Sequence, residues 1–315
     1  MHLKTVSIRE VGLRDGLQNE PAQPVEKRIQ LGCLLLQARV SILEACSFTG
    51  PKMLGMSQPG EVFQGLSAIR IPSQTVGALV MTSRDSLTKY VDAALAAGVS
   101  DMAFVLSAHR EHCQRNLGAT PDELMARYET LFHDARMQSI TRRIYISTCW
   151  GDKSSDDVSI DQVYDLLARC LAIGITEVGI ADTSALGTPD SIHERFEKWQ
   201  RMGLDLARTA FHPHDPDWQS GRGVANLLAA YHAGIRRLDT SILGLGGCPA
   251  TAHPHGNVST EDAVEEFERL GIRTGIDMTH LLLASNYGIN TMQLPVYSRA
   301  AQFLKRPSVS LDDIL

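Results

Sequence analysis

The sequence has no Cys-x-x-Cys pair, no apolar run of about 18 residues or more, no Gly-x-Gly-x-x-Gly turn after its first candidate strand, and no excess of positive charge. Each absence removes a class of function. The six cysteines, at 33, 46, 113, 149, 170 and 248, sit mostly inside apolar stretches, which argues against a disulfide framework and for reduced thiols in the cytoplasm. Without a long apolar run no membrane span is expected, and the Met-His-Leu-Lys start leads into a strand pattern rather than a signal or transit peptide. A net charge of −6 and a pI near 6.0 give no footprint for nucleic acid or an anionic membrane, so a small-molecule enzyme fits best. No Pro/Gly/Ser-rich linker or low-complexity segment divides the 315 residues, and the chain reads as one domain over 1–315.

What is present is a repeat of alternating patterns. Eight short apolar or alternating runs read as strands: Thr5–Gly12, Ile42–Phe48, Thr75–Val80, Asp101–Ala108, Arg143–Trp150, Glu177–Thr183, Arg208–Asp215 and Arg237–Leu243. Between them lie amphipathic helical segments, among them 24–40, 83–97, 120–136, 159–173, 189–203 and 222–233. Three of these stop at Ala97-Gly98, Ile173-Gly174 and Ala233-Gly234, where glycine supplies the left-handed cap before the next strand. Eight such units predict a (β/α)8 TIM barrel over about 5–275, with active-site residues at the carboxyl ends of its strands. Ser259 and Asp262 are spaced as a capping box for a further helix, and 278–315 reads as a C-terminal helical extension.

A barrel interior is ordinarily packed with branched apolar side chains, so polar residues at strand ends call for another account. The seventh run ends in His212-Pro-His214-Asp215, and side chains two apart on a strand share a face. Two imidazoles on one rigid face make a ready pair of metal ligands; a pair of loop histidines is the plainer reading. The first run ends in Arg14-Asp15, either a solvated pair or part of the same site. Glu44, Asp182 and Asp239 lie on other strands, and the eighth strand leads into Gly244-Leu-Gly-Gly-Cys248-Pro, a loop free to fold over the barrel mouth. Cys248 could serve there as an acid or base or be incidental, and Asn257 could simply cap the helix that follows.

Val11-Gly-Leu-Arg-Asp-Gly-Leu-Gln-Asn-Glu20, Glu44-Ala-Cys-Ser-Phe-Thr-Gly-Pro-Lys52, Asp182-Thr-Ser-Ala-Leu-Gly-Thr-Pro189, His212-Pro-His-Asp215, Gly244-Leu-Gly-Gly-Cys-Pro249, Gly256-Asn257 and Thr260-Glu-Asp262 resemble the 3-hydroxy-3-methylglutaryl-CoA lyase family. They also resemble the wider group of metal-dependent lyase and Claisen-condensing barrels. The resemblance runs in order from about residue 5 to 290. It implies retro-Claisen cleavage of an acyl-CoA thioester to acetyl-CoA and acetoacetate. It further implies one Mg2+ or Mn2+ held by Asp15, His212, His214 and Asn257, with Arg14 stabilising the enolate and Cys248 protonating it. Glu44 would orient Arg14 or help with proton transfer, and the hydroxyl proton would pass to His212, Asp15 or a water. Gln18, Met53, Trp150, Asp182 and Glu261 are the implied substrate-side residues, and a homo-oligomer is the implied assembly. His109, His253 and His255 read as facing solvent.

The chain also departs from the family pattern. Met53 stands where a Trp is usual, strand five ends in Cys149-Trp150-Gly151-Asp152, strand seven continues into Asp215-Pro216-Asp217-Trp218, and the middle of the glycine loop is Ala252-His-Pro-His255. The chemistry is kept while the pocket wall changes, so a paralogue acting on a different 3-hydroxyacyl-CoA is the alternative expectation. A Claisen-type synthase joining acetyl-CoA to a 2-oxo acid, and a barrel that binds acyl-CoA without turnover, are the remaining readings.

Overall fold

The computed structural model describes residues 4–50, 53–82, 88–152, 158–247 and 256–305. Its eight parallel strands are β1 (Ser7–Glu10), β2 (Ile42–Phe48), β3 (Thr75–Val80), β4 (Asp101–Ser107), β5 (Thr141–Ser147), β6 (Glu177–Asp182), β7 (Thr209–Pro213) and β8 (Arg237–Thr240). They pair in chain order, and β8 returns to β1, so the sheet closes into the expected barrel. Around it lie α1 (Val25–Gln37), α2 (Pro59–Ile69), α3 (Lys89–Ala96), α4 (Arg110–Leu117), α5 (Pro121–Phe132), α6 (Ile160–Ala172), α7 (Pro189–Arg201), α8 (Arg222–His232), α9 (Thr260–Arg269) and α10 (Met278–Asn290). No helix among the described residues is long and apolar enough to cross a membrane.

The local signals act as read. Gly98, Gly174 and Gly234 take φ of 86°, 81° and 107° and turn each helix back toward the sheet. Ser159 accepts the Gln162 amide at the start of α6, and Thr120 with Glu123 closes a full capping box on α5. The box expected at α9 is only half formed. Ser259 accepts the Asp262 amide, but the Asp262 carboxylate turns to Ser298 and the amides of Arg299 and Ala300, and so ties down the C-terminal segment. The expected C-terminal helical extension begins with α10, which packs on α1 and α9; a short 3-10 helix, Gln302–Lys305, follows after an irregular stretch, and residues 306–315 lie outside the described residues.

Two unlike layers hold the barrel. Between strands and helices, Leu43, Ile144, Ile146, Phe211 and Leu238 bury against side chains such as Leu31, Leu167, Phe196 and Leu227. Each such side chain contributes about 1.5–3 kcal/mol by leaving water. Inside the strands the branched apolar filling is replaced by Arg9, Glu44, Asp101, Arg143, Tyr145, Glu177 and Asp239, all buried. Arg9 pairs with Glu177 and with Asp239 at 3.1 Å, and Arg143 with Asp101 at 2.7 Å and Glu44 at 2.9 Å. The Tyr145 hydroxyl donates to Asp239 at 2.7 Å. Gly179 leaves the space for that ring, since a Cβ there would lie 2.3 Å from it.

In β2 the register slips. Glu44 lies opposite Gly77 while Cys46 lies opposite Ala78, so Ala45 is an extra residue. Such bulges are rare in parallel pairs. Glu44 and Ser47 therefore face the barrel interior although they are three residues apart.

Candidate active site

His212 sits on β7 opposite Ala181 of β6 with its ring inside the barrel, and His214 follows just beyond the strand, bridged to Asn257. The two rings are 5.3 Å apart. Asp15 reaches the same point from the turn after β1, where the Val11 carbonyl accepts the amides of Arg14, Asp15 and Gly16. One ligand atom from each of Asp15, His212 and His214 lies within 4.8 Å of the other two, and all three residues are buried.

Three observations test whether these residues fit a cation. First, His212 Nδ1 lies 3.3 Å from Asp239 Oδ2. Burial raises the Asp239 carboxyl, but Arg9, His212 and Tyr145 outweigh it and hold it at about 2, so Asp239 is an anion that accepts a hydrogen bond from Nδ1–H and leaves the Nε2 lone pair for the site. Second, Asn257 Nδ2 donates to Asp15 Oδ2 at 2.7 Å and to the Leu245 carbonyl at 2.9 Å, while its buried Oδ1 has no hydrogen-bond partner among the described residues. Leaving such an oxygen unmet costs about 1–3 kcal/mol, which a positive charge would recover. Third, Gly246 presses its backbone onto the pair at φ 113°; a Cβ there would stand 2.4 Å from Asn257 Nδ2 and 3.0 Å from Asp15 Oδ2. Two imidazole nitrogens and two side-chain oxygens are a donor set suited to one divalent cation.

Arg14 stands beside them. Its guanidinium pairs with Asp15 and with Glu44 and lies over the Tyr145 ring at 5.5 Å. Burial works to raise the Asp15 carboxyl, yet Arg14, His212, His214 and the Asn257 amide hold it well below the usual carboxylate range. Glu44 is likewise lowered, against its burial, by Arg14 and Arg143, and it stands behind Arg14 rather than at the surface of the cavity.

A cavity of about 130 Å³ opens onto this cluster. Arg14, Asp15, Gln18, Thr183, His212 and His214 line one side, and Met53, Leu79, Met81, Val105 and Leu117, with the neutral polar side chains of Ser47, Asn116 and Ser147 among them, line the rest. Gln18 and Met53 thus lie where the sequence places them. Three other expected wall residues do not. Trp150 packs against Phe196, Trp199 and Phe211, because Thr148 at φ 58° carries the chain out of β5 before it. Asp182 is fully buried and spends its carboxylate on the amides of Leu186 and Gly187, at 3.0 and 2.8 Å. Burial pushes its carboxyl up to about 6. Glu261 binds the Leu243 amide, Ser259 and Ser285, and holds the root of the loop after β8.

His109 also differs from its solvent-facing reading: it is buried, and its ring accepts the His112 amide at the start of α4. Cys248, His253 and His255 lie outside the described residues, although the side-chain amides of Gln18 and Asn19 both reach the Gly247 carbonyl just before them. Sequence reading missed Ser47, which lines the cavity, is buried, and has no hydroxyl partner among the described residues. Its inward aim comes from the bulge at Ala45, for which the sequence carries no sign.

The chain matches the HMGL-like family model over residues 5–287. It is 32% identical over 304 residues to the hydroxymethylglutaryl-CoA lyase of Bacillus subtilis, covering 96% of this chain and 98% of that protein. The structure of hydroxymethylglutaryl-CoA lyase from Pseudomonas aeruginosa superposes with a TM-score of 0.87 at 32% identity, over 96% of this chain and 99% of the other. An HMG-CoA lyase from Acinetobacter baumannii, solved with coenzyme A and 3-methylmalate, gives 0.86 at 26% identity over 98% of each chain. With the barrel closed, the ligand cluster at its carboxyl end and agreement along nearly the whole sequence, the chain belongs to the HMGL-like family.

Proposed function

We propose that this chain is a divalent-cation-dependent carbon–carbon lyase that cleaves a 3-hydroxy-3-methylglutaryl-CoA-like thioester to acetyl-CoA and a 3-oxo acid, acetoacetate for the methylglutaryl substrate itself. The observation that carries the reading is the convergence of Asp15, His212 and His214 on one cavity with the Arg14 guanidinium beside them. Asp15, His212, His214 and Asn257 would hold Mg2+ or Mn2+, which when bound makes a substrate hydroxyl easier to deprotonate. With its Nδ1 on Asp239, His212 would offer Nε2 as a ligand rather than act as the base, and on this reading the hydroxyl proton leaves to water.

The carbon–carbon bond then breaks, its electron pair passing into the thioester as an enolate. Arg14 meets the charge on the thioester oxygen. Asp15 and Glu44 hold its guanidinium from two sides, so it is in place before the charge develops. A proton returned to the enolate carbon completes acetyl-CoA, and Cys248 is the donor on the strength of the family resemblance. The relative from Acinetobacter, with coenzyme A and a hydroxy-dicarboxylate bound, supports this pairing of ligand classes. We extend the proposal to a cytoplasmic homo-oligomer, the compartment resting on the absence of disulfides among the described cysteines.

The test is a coupled assay of the purified protein with Mg2+ or Mn2+ and 3-hydroxy-3-methylglutaryl-CoA. Acetoacetate and acetyl-CoA formed in equal amounts, and lost in His212→Ala and Cys248→Ala, would support it. A metal-loaded protein that cleaves no 3-hydroxyacyl thioester would overturn it.

A further inference from the structure

The two sides of the cavity differ in kind, one charged and the other mainly apolar, with only the neutral polar side chains of Ser47, Asn116 and Ser147, and the second has no task in the reaction above. Leu79, Ala103 and Tyr145 form a small buried apolar cluster inside the barrel, with Met81 and Val105 packed against it, separate from the large core between strands and helices. Together with Leu117 and Met53 they wall an alcove on the β3–β4 side, facing Asp15 and the histidines. Resting on the lyase reading, we propose that this alcove holds an aliphatic substituent on the carbinol carbon longer than methyl, so that the natural substrate is a 3-hydroxy-3-alkylglutaryl-type thioester.

The cavity does not reach the barrel floor: Arg9, Glu44, Arg143 and Asp239 are not among its lining residues. Its inner end closes on Tyr145, whose hydroxyl is committed to Asp239 at 2.7 Å and Glu44 at 3.3 Å. The coenzyme arm has to leave through the barrel mouth, so only a group that terminates the substrate can fill this space. A carboxylate is the wrong occupant. The inner arginines are already paired, Arg143 with Asp101 and Glu44 and Arg9 with Glu177 and Asp239, and a further anion beside Leu79 and Val105 would be desolvated without a counter-ion. The polar ends of the substrate have Arg14 and the ligand cluster on the opposite wall. An alkyl chain needs nothing more than Leu79, Val105 and Leu117 provide, and Met53 and Met81 can re-pack around its shape.

The experiment uses the full-length, Mn2+-loaded protein and two matched series with methyl, ethyl, propyl and isobutyl groups. One is 3-alkylglutaryl-CoA, which lacks the hydroxyl and cannot be cleaved; the other is 3-hydroxy-3-alkylglutaryl-CoA. Titration calorimetry should show Kd for the unreactive series falling about fourfold per methylene, and kcat/KM for the reactive series rising in step. Val105→Phe, which fills the alcove, should reduce the isobutyl-to-methyl affinity ratio about tenfold or more, and Leu79→Ala, which deepens it, should move the optimum to a longer chain. A flat or inverted binding series overturns the alcove assignment even if methylglutaryl-CoA is cleaved well. Chain-length-dependent binding with no cleavage of any hydroxylated member supports the alcove and overturns the lyase reading instead.

Discussion

The floor of the barrel and its mouth are built from the same side chains, arginines against carboxylates, and they end in opposite states. On the floor each carboxylate has its cation: Asp101 and Glu44 have Arg143, Asp239 has Arg9, and Glu177 has Arg9 and Arg237. At the mouth Arg14 neutralises one side of Asp15, while the other side meets the amide of Asn257 and faces His214 at 3.9 Å, and the oxygen of Asn257 has no donor among the described residues. The carboxylates of the floor are all matched by cations, and the buried groups left over there, Arg9 Nε and Arg143 Nη2, are donors without a hydrogen-bond partner among the described residues. The mouth holds acceptors in surplus, and that surplus separates a site from a strut.

The largest expected effect tests the mouth alone. His212→Ala should lower kcat on the order of 10⁴-fold and abolish Mn2+ binding followed by electron paramagnetic resonance, while urea unfolding changes by less than about 2 kcal/mol. Activity lost only together with the fold would collapse the distinction between the two regions. Arg143→Met tests the floor in the same way: stripped of one cation, Asp101 and Glu44 should destabilise the protein by about 3–5 kcal/mol in urea. A change below about 1 kcal/mol would mean that the floor is not a strut.

Glu10 offers a third case, a buried carboxyl whose hydrogen-bond partners are all neutral. It accepts from the Gly12 and Ile242 amides and from Thr260, and burial raises it to about 7. Between about pH 4.5 and 7 the unfolded chain has lost this proton and the folded chain still holds it, so stability should fall by up to about 3 kcal/mol across that window and level off above it. Urea unfolding of the wild type and Glu10→Gln over pH 4–8 measures this, and parallel curves would refute it. The smallest effect concerns Asp239, which belongs to both regions. Asp239→Asn should weaken Mn2+ binding 10- to 100-fold by loosening the His212 tautomer, a shift readable by titration calorimetry. Unchanged affinity would show that the floor does not set the mouth.

The parts of this architecture that are local were legible in the sequence. Strand and helix alternation, the glycine stops and the two histidines at i and i+2 all depend on neighbours within a few residues. Facing was harder to read. Ala181 pairs with His212, so Ala181 and Thr183 point inward and Asp182 between them points out to its own turn; without the register both parities of strand six were open. The run 143–150 reads as one strand reaching Trp150, but one residue in a left-handed conformation, Thr148, ends the strand before it. The charged floor was hidden for a different reason. Arg9 meets Glu177 and Asp239 across separations of 168 and 230 residues, and no single segment announces such partners.

The extra residue in β2 works as a change of phase. Ahead of Ala45 the strand contributes to the floor, through Glu44; behind it, to the mouth, through Ser47. Were Ala45 an ordinary member of the ladder instead, the beat of the strand would run on unbroken: with Glu44 still inward, Cys46 and Phe48 would take the inner face and Ser47 would rotate to the outside. A thiol and a phenyl ring would stand where a hydroxyl now does. A residue that touches no ligand, carries no charge and offers no polar side chain thus keeps time for the strand that joins the two halves of the barrel interior.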